Sequence, residues 1–205
     1  MIAIVDYRAG NLASVARALR ALGRRAEITD DPRVIERAEG LILPGVGAFA
    51  AGMANLTMLG LVEPIRAYIA SGRPFLGICV GLQLLMEESE EGTAADPRPK
   101  GLGIFPGRVR LLPRTLKVPQ IGWNRLRVRR PHPYLGDLDG EYVYFVHSYY
   151  AEPEDPSLVV AETDYGLTFP AALGRENVLA VQFHPEKSGA VGLRLLSAFC
   201  EAVPS

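Results

Sequence analysis

The sequence predicts an α/β fold in a single domain, residues 1–205, with a mostly parallel central sheet flanked by helices and an added antiparallel portion. Three observations carry that expectation. In the first half, short apolar runs alternate with segments of helical period, and strands separated by helices of this length pair in parallel through right-handed crossovers. The second half is β-rich, with few helical stretches between its strands. Apolar residues make up 48% of the 205 and charged residues 22%, enough to bury a substantial core.

Taken in order, residues 1–5 read as a buried strand and 12–22 as a helix, with Leu12, Val15, Ala16, Leu19 and Leu22 on one face. Gly23 stops that helix in the usual C-terminal manner. Strands fit 25–29 and 40–43, a helix fits 61–70 with Ser71 and Gly72 ending it, and a strand at 74–78 leads into a helix over 80–88. Residues 40–62 carry no charge and are long enough to span a bilayer. Pro44, Gly45, Gly47, Gly52 and Gly60 interrupt them, so the reading is a buried strand, a glycine loop and a helix start in a soluble chain. Strands follow at 109–112, 142–150, 158–162, 167–173 and 178–183, and an amphipathic helix at 190–202 closes the domain. The proline-rich loops at 96–100 and 130–133 separate elements, not domains.

A formal net charge of −1 excludes a global electrostatic pull toward nucleic acid or anionic membrane. The basic run Arg125-Leu126-Arg127-Val128-Arg129-Arg130 reads as a solvated edge strand or loop in preference to a nucleic-acid site. Two cysteines, Cys79 and Cys200, are too few for a disulfide scaffold and point to a reducing, cytoplasmic setting. The first residues lack the basic flank and cleavage site of a signal peptide.

Cys79 lies in Gly77-Ile78-Cys79-Val80-Gly81, where a strand runs straight into a helix. That is a nucleophile elbow with cysteine in place of serine. The flanking glycines relieve crowding at a strained turn. A helix N-terminus favours thiolate over thiol, and the Val80 N–H is placed to donate to an oxyanion. The competing reading of Cys79 is a buried, inert core cysteine. Cys200, at helical spacing on an apolar face, is read as core.

A thiolate catalyst needs a base and an orienter for that base. His184 follows an apolar strand, Pro185 stiffens its turn, and Glu186 is two residues on. His147 also follows a strand and competes as base, but has no carboxylate two residues away. His132, between two prolines, is expected to be exposed. No spacing resembles a metal site, and neither a metal nor another cofactor is expected. The loop Pro44-Gly45-Val46-Gly47 lacks the lysine of a phosphate-binding loop. Its better use is a second oxyanion donor from Gly45, Val46 or Gly47, and glycine there permits a peptide flip between competent and incompetent states.

Together, Pro-Gly-Val-Gly at 44–47, Gly-Ile-Cys-Val-Gly-Leu-Gln at 77–83 and Phe-His-Pro-Glu at 183–186 resemble the class I (triad) glutamine amidotransferases over essentially the whole chain. The resemblance implies a Cys79–His184–Glu186 triad that hydrolyses glutamine through a thioester, with Gln83 and the backbone near Ser148 and Tyr149 holding the substrate. Within that class, the segments at 6–15, 117–124, 145–150 and 184–188 are similar to the glutaminase subunits of imidazole glycerol phosphate synthases. That similarity implies a heterodimer with a (β/α)8-barrel cyclase subunit that receives ammonia through an internal channel, in histidine biosynthesis. Gln120 departs from the pattern, which has histidine there, and is expected to alter a partner contact at most. Asn11, Trp123, Asn124 and Lys187 are the expected interface residues, although Trp123 fits a core position equally well. Two other classes of function stay open: a free-standing hydrolase or peptidase using the same residues, and a non-catalytic binding module with a structural Cys79.

Overall fold

The computed structural model describes residues 1–204. β1 (Ile2–Val5) leads into α1 (Leu12–Ala21), which buries Val15 and Leu19 on the face its apolar spacing predicts. After β2 (Ala26–Thr29) comes α2 (Pro32–Arg37), a short helix that periodicity alone does not reveal. Its signal is the cap: the Asp31 side chain accepts from the Arg33 N–H, and Pro32 occupies the first turn. β3 (Gly40–Leu43), α3 (Phe49–Met58), α4 (Val62–Ala70) and β4 (Phe75–Ile78) complete the first half. The uncharged stretch 40–62 thus holds a strand, a loop and a whole helix, α3, where only a helix start is expected. Among the described residues no helix is long and apolar enough to cross a membrane.

The helix expected over 80–88 is a correction. Only one turn forms, α5 (Val80–Gln83), and Met86–Ser89 is a strand, β5. An apolar run this short fits either state, and here tertiary pairing decides. β5 aligns in parallel with β6 (Phe105–Leu111), which in turn pairs with a later strand. β7 (Gln120–Arg125) was invisible because Gly122 and Asn124 are poor strand formers. β8 (Arg127–Val128) lies in the basic run. The expected strand 142–150 is two, β9 (Tyr142–His147) and β10 (Tyr149–Pro153), separated at Ser148 and committed to different sheets. β11 (Val159–Asp164), β12 (Thr168–Arg175), β13 (Val178–Val181) and α6 (Gly189–Ala202) finish the chain.

The large sheet has the order β2-β1-β3-β4-β13-β12-β11-β8. β2 through β13 in that order are parallel, and β12, β11 and β8 extend the sheet antiparallel. β1, β3, β4 and β13 are buried at every position, as strands covered on both faces must be. β8 is the margin of this sheet, so the middle of the basic run, Arg127–Val128, is an edge strand and Arg125 ends β7. Its arginines are spent inside the molecule: Arg127 pairs with Glu162 and Asp164, and Arg129 with Glu162. β10-β6-β5 and β7-β9 form two small sheets beside it. The carboxyl ends of three adjacent central strands, β3, β4 and β13, open directly into residues 44–47, Cys79 and 182–186. In open α/β sheets that edge is where ligands bind.

His132 is a second correction: it is buried, not exposed, with its ring 4.9 Å from that of Tyr134 and against Gly174. The fold reaches over the loop that holds it. Burial lowers its pKa from 6.5 to about 4, and burial does the same for His147. Both therefore stay neutral in the folded chain while the unfolded chain takes up their protons. Their contribution to stability is complete above pH 6.5 and is lost as pH falls through about 4. Urea midpoints are expected to fall between neutral pH and that region, and replacing both histidines by Gln should flatten the decline; an equally steep decline in the double variant would contradict this account.

Candidate active site

Cys79 sits at φ 54°, ψ −108°, in the left-handed half of conformational space that non-glycine residues avoid. Its neighbours explain how. A Cβ on Gly81 would lie 1.8 Å from the Leu43 carbonyl oxygen, and one on Gly77 would lie 3.0 Å from the Gly81 oxygen. Glycine at both positions lets the backbone fold tightly against β3. The Cys79 N–H donates to the Val181 oxygen at 2.7 Å, tying the elbow to β13. Cys79 is buried, at the head of α5, with its Sγ 3.9 Å from the Val146 oxygen.

The Val80 N–H, the expected oxyanion donor, is already engaged: it donates to the Gly45 oxygen at 3.4 Å. The 44–47 loop therefore reaches the elbow, but presents a carbonyl to it. A Cβ on Gly45 would fall 2.1 Å from the Tyr7 hydroxyl and 2.9 Å from the Val80 Cβ, so only glycine permits this approach. Gly47 has φ 103°, and Val46 is exposed.

His184 is buried three residues beyond β13, and its Nδ1 lies 2.7 Å from the Glu186 Oε1. A one-turn 3-10 segment, Pro185–Lys187, brings the carboxylate back to the ring. The contact leaves Nε2 as the free ring nitrogen, which has no hydrogen-bond partner among the described residues. Burial lowers the His184 pKa, but the neighbouring Cys79 sulfur and Glu186 carboxylate outweigh it and raise it to about 9. The site therefore favours an imidazolium beside the sulfur. The His184 N–H donates to the Tyr144 oxygen, and the Ser188 hydroxyl donates to the His184 carbonyl oxygen, fixing the segment at both ends.

His147, the competing base, is buried with both ring nitrogens occupied, Nδ1 by the Tyr149 oxygen at 2.7 Å and Nε2 by Gln120 at 2.8 Å. It has no free nitrogen for a substrate. Gln120 is itself buried, so its departure from the family pattern affects the support of His147 and not an exposed partner contact.

A pocket of about 320 Å³ opens beside the sulfur, lined by Val46, Cys79, Gln83, Ser148, Tyr149 and Glu91, among others. Gln83 donates through Nε2 to the Tyr149 oxygen at 2.9 Å and to the Gln182 Oε1 at 3.1 Å. Lys187 is at the pocket rim. Among the described residues no cluster of His, Cys, Asp and Glu could hold a metal ion. Glu91 and Gln182 escaped the sequence reading. Glu91 hides in an acidic run that looks solvated, yet it accepts the Phe49 N–H at 2.8 Å at the start of α3, and burial raises its pKa. The signal for Gln182 was available: a lone amide inside the apolar run 178–183.

The expected interface residues are not alike. Trp123 is exposed, its ring edge-on to Tyr144 at 5.9 Å, which removes the core alternative. Asn11 is exposed beside α1, and Lys187 is exposed. Asn124 instead donates to the Asp164 oxygen at 2.6 Å, bracing β7 against β11. Cys200 is buried in α6, as its spacing predicts.

Comparison with known proteins agrees with this geometry. Residues 3–202 match the family described as Glutamine amidotransferase class-I. An "Imidazole glycerol phosphate synthase subunit HisH" from Syntrophotalea carbinolica is 54% identical, across 97% of this chain and 98% of that protein. A protein of the same description from Symbiobacterium thermophilum is 53% identical, across 96% and 91%. A solved glutamine amidotransferase structure superposes with a TM-score of 0.76 at 22% identity, covering 98% of both chains, which shows a shared fold. The chain belongs to the class I glutamine amidotransferase family, in its branch of HisH subunits of imidazole glycerol phosphate synthase.

Proposed function

We propose that the chain hydrolyses glutamine to glutamate and ammonia through a Cys79 thioester and delivers the ammonia to a barrel-fold cyclase subunit in histidine biosynthesis. The observation that carries the chemistry is the elbow cysteine, which lines the pocket, beside a buried His184–Glu186 pair whose ring nitrogen and carboxylate are 2.7 Å apart. In this reading the Cys79 thiolate attacks the side-chain amide carbon of glutamine. His184, as imidazolium, protonates the departing nitrogen, which leaves as ammonia. His184 then takes a proton from water as it attacks the thioester, and collapse releases glutamate and restores the Cys79 thiolate beside the imidazolium. Glu186 holds the ring in the required tautomer.

The oxyanion falls to the Val80 N–H and a donor from the 45–47 loop, each worth about 3 kcal/mol of barrier. Because the Gly45 carbonyl holds the Val80 N–H in the resting arrangement, that peptide must turn before the hole is complete. The two donations made by Gln83 Nε2 leave its Oε1 as the atom available to substrate, and Ser148 and Tyr149 offer backbone. Glu91, a carboxylate on the pocket wall, suits the α-ammonium of a free amino acid and not a peptide bond, which favours a glutaminase over a peptidase. A partner is supported by Ile121, Trp123 and Tyr142, which are 59, 53 and 56% exposed. The β7–β9 register places them on one face with Val146, which lines the pocket. An apolar face of this kind, contiguous with the site, suits a docked subunit.

Cys79→Ala should abolish glutamine hydrolysis, and continued turnover would end this assignment. Adding the cyclase subunit with its nucleotide ligand should raise the glutaminase rate of the parent chain; a rate indifferent to both would argue against ammonia delivery. Glu186→Gln removes one of the two groups that raise His184. The alkaline side of the rate profile should then move from near pH 9 toward neutrality, with turnover falling roughly 100-fold.

A further inference from the structure

The geometry points to Gln182 as a positioning residue whose side-chain N–H donates to the Cys79 sulfur and holds it as the thiolate. The inference rests on the reading of Cys79 as nucleophile and adds a group that the Cys79, His184 and Glu186 assignment leaves out.

Gln182 is fully buried, directly beyond the wholly apolar β13. A primary amide in such a place is costly unless its polar atoms are satisfied, so where its bonds go matters. Its Oε1 accepts from Gln83 Nε2 at 3.1 Å, and its Nε2 donates to Cys79 Sγ at 3.6 Å. The orientation of both amides follows from the chain of contacts. Gln83 Nε2 also donates to the Tyr149 carbonyl at 2.9 Å. Exchanging nitrogen and oxygen on Gln83 would set two carbonyl oxygens against each other there. Gln83 therefore offers an N–H to Gln182, Gln182 answers with its oxygen, and its NH2 group is left facing the sulfur.

The backbone explains why one segment can do this. Residues 182 and 183 bend directly after β13 and carry the chain into the turn at 185–187. Gln182 and His184 reach the sulfur side, while Phe183 between them packs on Phe145 at 5.9 Å. Glu186 follows and bonds His184. A donor to the thiolate, a base and an orienter thus come from alternate positions of five consecutive residues. A fixed N–H in a buried setting favours the charged form of its acceptor, and an amide contributes this without competing for the proton that His184 carries. Gln182 does not line the pocket; it acts through Cys79 and, at its other end, through Gln83, which does.

The test is the pH profile of Cys79 alkylation by iodoacetamide on the full chain, with peptide mass mapping to separate it from the buried Cys200. Gln182→Met keeps the volume and removes the donor. Its alkylation midpoint should rise by about one pH unit, a loss of roughly tenfold in thiolate below the midpoint. A purely packing role would lower the melting temperature and leave that midpoint where it was. Should Gln182→Met fail to fold, Gln83→Met releases the Gln182 amide without touching the sulfur, and should shift the midpoint the same way by less. A midpoint in the folded variant equal to that of the parent overturns the role of Gln182 alone. Glutamine hydrolysis that survives Cys79→Ala overturns the nucleophile reading and this inference together.

Discussion

The left-handed backbone at Cys79 is the constraint on which the rest of the site depends. A non-glycine residue in such a region costs about 1–3 kcal/mol and persists only when its surroundings over-determine it. Here the surroundings are identifiable: Gly81 lets the turn lie against the Leu43 carbonyl, Gly77 lets it pass Gly81, and the Val181 carbonyl holds the Cys79 N–H. These contacts come from three adjacent strands, β3, β4 and β13. The same contacts that hold the elbow in its strained shape therefore align the three loops to which the proposed chemistry is assigned.

Electrostatics then works against solvation, and the balance is informative. Burial alone would keep His184 neutral, as it does His132 and His147, both near pKa 4. His184 is raised to about 9 instead because the Cys79 sulfur and the Glu186 carboxylate stand beside its ring. Three buried histidines in one fold thus separate by what stands beside them and not by depth. His147, with backbone and amide partners only, is a neutral strut under the pocket wall.

The Gly45 carbonyl accepts from the Val80 N–H at 3.4 Å, a long bond. On the proposed function, a loop held by such a bond, with glycines at 45 and 47, is the one that a docked subunit would turn.

Much of this was legible in the residues. Period and composition announced the parallel half, because a strand buried on both faces leaves an uninterrupted apolar run. The elbow and the His-Pro-Glu turn were legible because their chemistry is local: glycines two positions either side, a carboxylate two positions on. Tertiary structure alone decided what depends on partners distant in the chain. Residues 86–89 became a strand because β6 was there to pair with, and 142–150 broke in two because two sheets needed it. His132 was buried by segments that its own neighbours do not mention. Gln83, Gln182 and Cys79 are linked although 103 residues separate the last two, since an amide bond network has no sequence period to betray it. Spacing specifies geometry only along one backbone; between strands, it is the pairing register that sets which side chains meet.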